Sequence, residues 1–70
     1  MKIIYDPETD TLDIIFRDDP IVESDEIRQG VIADYNREGK MVSLEFLNAS
    51  ALVDDPQSVA YELKRRQKVS

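Results

Sequence analysis

Seventy residues without cysteine or histidine make one small domain, and they exclude disulfides, thiolate or imidazole zinc sites and histidine-dependent nucleophile pairs. A chain of this size buries only about 60% of the surface that its unfolded form exposes, so self-association or a partner is expected to complete its stability. Fifteen acidic against nine basic residues give a net charge of −6, which opposes phosphate backbones and suits a basic protein partner better than nucleic acid.

The absence of cysteine is compatible with a reducing cytoplasm. The opening Met-Lys-Ile-Ile-Tyr leaves no room for the apolar core of a signal peptide. No apolar run approaches the roughly 20 residues that span a bilayer. A soluble, cytoplasmic protein with no membrane contact is expected.

In chain order, Lys2 to Tyr5 is a short β-branched and aromatic run, the expected first strand. Asp6-Pro7 opens a type I turn, with proline presetting φ. Thr11 to Phe16 alternates with period two, placing Leu12, Ile14 and Phe16 on one face. Strands one and two therefore form a hairpin. Residues 17–26, RDDPIVESDE, read as a charged surface loop. Its acids Asp18, Asp19, Glu23, Asp25 and Glu26 are expected to solvate the loop and shield a sheet edge, or, in the sharper reading, to form an anionic docking surface.

Ile27 to Tyr35 and Lys40 to Leu47 are expected as strands three and four. Asn36-Arg37-Glu38-Gly39 between them carries strong hairpin chemistry, with Asn36 suited to open a type I turn and Gly39 to the positive φ that follows it. A three-residue loop with a bulge at Gly39 sets Asn36 against Lys40 and Ile32 on the face of Val42, Leu44 and Phe46. A four-residue loop instead places Val31, Ala33 and Tyr35 beside those three. Turn chemistry favours the first, which leaves a second apolar face of Val31, Ala33, Tyr35, Met41 and Leu47. Those five are the candidate interface, to be covered by another protomer, by a partner protein, or by the first hairpin and residues 48–53.

Asn48 to Val53 is expected to make a helical turn. Asp54-Asp55-Pro56 reads as a helix start, with the helix running from Pro56 to about Lys68. Val59, Ala60 and Leu63 would form its apolar stripe, and Lys64, Arg65, Arg66 and Lys68 would complement its C-terminal end. The expected fold is α+β: a small antiparallel sheet of two hairpins, about four strands, with one C-terminal helix. It forms a single domain over 1–70, with a hairpin core at 1–50 and the helix at 54–68.

The segments YDPETDTLDIIF at 5–16 and GVIADYNREGKMVSLEFLNAS at 30–50 resemble a small prokaryotic family catalogued as domain of unknown function 2283. Tyr5, Asp6, Asp10, Leu12, Gly30, Val31, Asp34, Tyr35, Gly39, Glu45, Leu47, Ala49 and Ser50 match its pattern, while Ser43 stands where glycine is frequent and Asn48 where aspartate is. The resemblance implies a β-rich domain without an established activity. It also implies an antitoxin-like or partner-binding role, since members are encoded beside small proteins that look like ribonuclease-type toxins.

No catalytic, cofactor or metal site is expected. Asp34, between apolar strand neighbours, reads as a structural acid bonding turn amides or Lys40, and Glu45 as an exposed solubility device. A carboxylate enzyme built on Asp34 and Glu45, or on Mg²⁺ held by Asp18, Asp19 and Glu23, is one alternative, and a DNA binder using the basic C-terminal helix is another. The favoured expectation is a protein-interaction module, either a homo-oligomer or a hetero-complex with a small basic protein.

Overall fold

Alternating apolar runs separated by turn chemistry, joined by one charged edge run, form a five-stranded antiparallel sheet. A computed structural model describes residues 1–65 and gives strands β1 (Lys2–Asp6), β2 (Thr11–Ile15), β3 (Glu23–Arg28), β4 (Val31–Tyr35) and β5 (Met41–Phe46), followed by one short helix, α1 (Ala49–Leu52). The strand order is β1-β2-β5-β4-β3. The first hairpin thus docks β2 on β5, and residues 16–22 cross over the end of the β4–β5 hairpin to reach β3. Phe16 N–H donates to Val42 O at 2.8 Å and Val22 N–H to Tyr35 O at 2.9 Å, which pin both ends of that crossover.

The fifth strand, β3, lies where a charged loop is expected. Expected strand three, Ile27 to Tyr35, is broken at Gln29-Gly30, and its first residues belong to β3. Arg28 pairs with Val31 across this two-residue turn, and Gly30 takes a φ of 78°, the conformation that a type II turn reserves for glycine at its second central position. Every residue of β3 is exposed. An edge strand needs a backbone partner on one side only, so a hydrophobic pattern is not required of it.

The β4–β5 turn follows its chemistry. Asn36 N–H donates to Lys40 O at 2.9 Å and Gly39 N–H to Asn36 O at 3.0 Å. The Asn36 Oδ1 accepts from the amides of Glu38 and Lys40. The strand register does not follow from that loop. Tyr35 pairs with Met41 but Asp34 pairs with Ser43, so β5 carries one extra residue at a bulge. The bulge shifts the alternation by one, and Val31 and Ala33 face Phe46 and Leu44. This corrects the expectation that Ile32 shares their face. The four-residue-loop arrangement is reached through a bulge instead of a longer loop.

Four cross-strand rows result. Ile3, Ile14, Leu44 and Ala33 are aligned, as are Tyr5, Leu12, Phe46 and Val31, and these two rows form an apolar face. On the opposite face run Ile4, Asp13, Glu45, Ile32 and Glu26, then Lys2, Ile15, Ser43, Asp34 and Ser24. The buried hydrophobic residues are Leu12, Val31, Ala33, Val42 and Ala49.

The helical turn expected over Asn48 to Val53 forms as α1, whereas the helix expected from Pro56 onward does not form over the described residues. Asp55 opens a turn, accepting from the amides of Gln57 and Ser58, but residues 59–65 are not helical. The anticipated stripe has nothing to pack on, with Val59 59% and Leu63 72% exposed. A helix of this length without a docked face is marginal in water. Arg66 and Lys68, placed in that helix from sequence, lie outside the described residues.

Candidate functional site

The first candidate surface is the apolar face. Ile14, Leu44 and Phe46 are half-buried on it, and Ile3 is 39% exposed at its edge. The candidate interface Val31, Ala33, Tyr35, Met41 and Leu47 is divided by the bulge. Val31 and Ala33 are buried within this face, Tyr35 is half-buried, and Met41 and Leu47 are exposed. The five do not form one patch, because the bulge aligns Val31 and Ala33 with Phe46 and Leu44 while Leu47 lies past the end of β5. At the β3 side the apolar rows end in Asp25 and Arg28, with Glu23 beside Tyr35.

The second candidate is a carboxylate cluster on the opposite face. Asp34 is buried (1% exposed), and it is flanked in its row by two hydroxyls. Ser24 Oγ donates to Asp34 Oδ1 and Ser43 Oγ to Asp34 Oδ2, each at 2.6 Å. Glu45 sits one step away on β5, directly opposite Asp13 on β2. Burial acts to raise the Asp34 carboxyl, but the hydrogen bonds from Ser24, Ser43 and Glu45 outweigh it and hold Asp34 below the usual carboxylate range. Of the pair, Glu45 is the weaker acid. Hydrogen bonding to the Asp34 carboxylate, burial and the charges of Asp34 and Asp13 push it up to about 7. Asp13 is raised as well, by burial and by Asp34, and its Oδ1 is buried without a hydrogen-bond partner.

Asp34 therefore bonds neither turn amides nor Lys40, and Glu45 is not an exposed solubility device. Ser24, Ser43 and Asp13, for which the sequence predicts no site role, complete the cluster. Their signal is that polar residues alternate with apolar ones at Thr11 and Asp13 of β2 and at Ser43 and Glu45 of β5, but it becomes visible only when the bulge has fixed the register.

The five loop acids are dispersed. Asp19 accepts from Asn36 Nδ2 at 3.1 Å and from Arg17 Nε at 2.7 Å, and these two interactions lower its pKa. It ties the crossover to the β4–β5 turn. Asp18 is exposed on the crossover, while Glu23 and Asp25 project to one side of β3 and Glu26 to the other. Among the described residues no group of three carboxylates could hold a metal ion, including Asp18, Asp19 and Glu23. Lys64 and Arg65 are exposed in a non-helical segment, so a basic helix does not form over the described residues.

A third network holds α1 to the first hairpin. Asp10 adopts a φ of 54° and its carboxylate accepts from Tyr5 Oη at 2.7 Å, Ser50 Oγ at 2.6 Å and Ser50 N–H at 3.0 Å. Ala49 N–H donates to Asp10 O at 2.9 Å. Tyr5, Asp10, Ala49 and Ser50, which carry much of the resemblance noted from sequence, thus meet in space though 45 positions separate the first from the last. The family model described as protein of unknown function (DUF2283) matches residues 2–50. The chain belongs to the DUF2283 family. In this DUF2283 domain the match begins with β1 and ends at Ser50, the residue that closes the Asp10 network. No curated protein and no solved structure matched the chain. Among the described residues, no helix is long and apolar enough to cross a membrane.

Proposed function

We propose that this DUF2283 protein is a cytoplasmic protein-interaction module with an antitoxin-like or regulatory role, and that its apolar sheet face receives a basic partner protein. The observation that supports this most is the incomplete burial of Ile3, Ile14, Leu44 and Phe46 on a single-layer sheet. Fully burying a side chain of this kind is worth about 1.5–3 kcal/mol relative to leaving it exposed. Covering the remaining area of four would contribute several kcal/mol, enough to matter for a domain of marginal stability. Glu23 and Asp25 border the face and the chain carries a net charge of −6, so a partner with an apolar centre and a Lys/Arg rim is complementary.

Native pull-down with a tagged copy, run beside Leu44→Glu, tests the reading. The wild type should retain a basic protein that the variant loses. Retention unaffected by Leu44→Glu, or capture of no basic protein, contradicts it.

A second reading, a carboxylate-dependent enzyme, is favoured by one observation. A carboxyl with its pKa raised to about 7 stands beside an ionised Asp34, the pairing that general acid–base chemistry uses. A hydrolase substrate panel assayed across pH, with Glu45→Gln as control, tests it. Absence of any turnover sensitive to that substitution removes the reading.

A further inference from the structure

The two edges of the sheet are unlike. β3 carries Glu23, Asp25, Glu26 and Arg28 and is interrupted by a bulge at Ile27, and charges and bulges are the devices that keep an edge from pairing. β1 has neither. Its sequence is Lys2-Ile3-Ile4-Tyr5-Asp6, it is unbulged in its pairing with β2, and Ile3 and Ile4 are 39% and 41% exposed. Among the described residues no backbone hydrogen bond reaches its outer side. Pro56, Gln57 and Val59 border a hollow with Ile3, Tyr5 and Pro7 but are not joined to β1 by any of the backbone bonds among those residues.

We propose that β1 is a pairing edge for a second copy of this chain, joined antiparallel about a two-fold axis at Ile4. The strand is self-complementary in that register. Lys2 falls opposite Asp6 of the second copy and Asp6 opposite its Lys2, Ile3 opposite its Tyr5, and Ile4 opposite its Ile4. The arrangement also respects the two faces. Ile3 and Tyr5 belong to the apolar rows and Lys2, Ile4 and Asp6 to the carboxylate face, so the Ile3–Ile14–Leu44 row of one copy runs on into the Tyr5–Leu12–Phe46 row of the other. Pro7 lacks an N–H and ends the ladder at each side. Assembly stops at two copies, because the isologous contact consumes both β1 edges and leaves outward only the β3 edges, where acid would meet acid. The contact uses a sheet edge, so it is independent of what occupies the apolar face.

The chain has no cysteine, which gives a direct test. Facing residues in an antiparallel pair have Cα atoms about 4.5 or 5.5 Å apart, both within disulfide range. Full-length Ile4→Cys should therefore crosslink to a dimer on mild oxidation, whereas Glu26→Cys on β3 should not. Lys2→Asp and Asp6→Lys alone should each weaken the dimer about tenfold at low salt, as opposite charges become like charges in two facing pairs. An equimolar mixture of the two variants should form a heterodimer of wild-type strength. A wild type that is monomeric by light scattering at all concentrations overturns the proposal. So does crosslinking of Ile4→Cys no greater than that of Glu26→Cys, or a mixture no tighter than its components. Because Leu44→Glu leaves the edge intact, loss of partner capture with the dimer retained separates this contact from the face.

Discussion

Ser43 faces Asp34 directly across the β4–β5 ladder and donates a 2.6 Å hydrogen bond to its carboxylate. The bulge in β5 makes that meeting possible. If the register set by Asn36 and Lys40 had continued, Asp34 would stand opposite Val42, on the face of Leu44 and Phe46. An unpaired carboxylate among those side chains would cost several kcal/mol, more than a bulge does. The bulge therefore segregates the sheet into an apolar face and a carboxylate face.

Removing one donor should then be expensive. Ser43→Ala is expected to destabilise the fold by about 1–3 kcal/mol, the usual cost of leaving a buried acceptor short of a partner. Ser24 is exposed, so Ser24→Ala should cost less, with water replacing the hydroxyl. Urea denaturation of the two variants checks the order.

Stability should also fall with rising pH through neutrality. The Glu45 carboxyl is raised from 4.5 to about 7 in the folded chain, so the native state binds this proton more tightly than the unfolded state. Its contribution is fully present below about pH 4.5 and is lost as pH rises to about 7. The expected loss is on the order of 1–2 kcal/mol, below what the whole shift implies, because the partly exposed site is screened by water. Denaturation midpoints from pH 4.5 to 8 should show the decline in the wild type and a flatter profile in Glu45→Gln.

The Asp10 network titrates in the opposite sense. Hydrogen bonds from Ser50 and Tyr5 lower the Asp10 carboxyl below its ordinary 3.8. The stability it confers is present above that value and lost as pH falls through the lower folded one. Asp10→Ala should release α1 and, because φ is positive at that position, strain the turn as well. Hydrogen exchange should report faster amide exchange at Ala49 and Ser50 in the variant, with β4 amides unchanged.

The two glycines separate by their surroundings. Both have φ near 79°, which costs an L side chain roughly 1 kcal/mol. A Cβ on Gly30 would also lie 3.4 Å from Leu47 O, whereas one on Gly39 meets nothing within 4 Å. Gly30→Ala should therefore be the more destabilising by thermal melting, and Gly39→Asn nearly neutral, since asparagine tolerates this conformation.

Those parts of the fold that depend on local chemistry were legible in the sequence. Asp6 accepts from the Glu8 amide in the turn that Asp6-Pro7 announces, and the Asn36 to Gly39 turn forms as its residues require. The missed parts depend on tertiary context. Nothing local marks the bulge at Val42, yet it decides the face on which Val31, Ala33 and Asp34 lie. β3 was hidden because an exposed edge strand needs no alternation of its own. The helix start at Asp55-Pro56 was well formed locally, but the stripe after it finds no surface to dock on. Asp34 and Glu45 were noticeable as charges within strands, and their meeting became evident only from the register.

The face itself is tested most directly by hydroxyl-radical footprinting of Phe46 and Leu44, in the isolated chain and in the complex recovered by native pull-down. Both side chains are partly open to solvent in the isolated domain, so strong protection in the complex, with Glu26 labelling unchanged, is the expected result. Equal labelling of Phe46 and Leu44 in the two samples, or failure to recover any complex, would contradict a role for the apolar face in binding a partner.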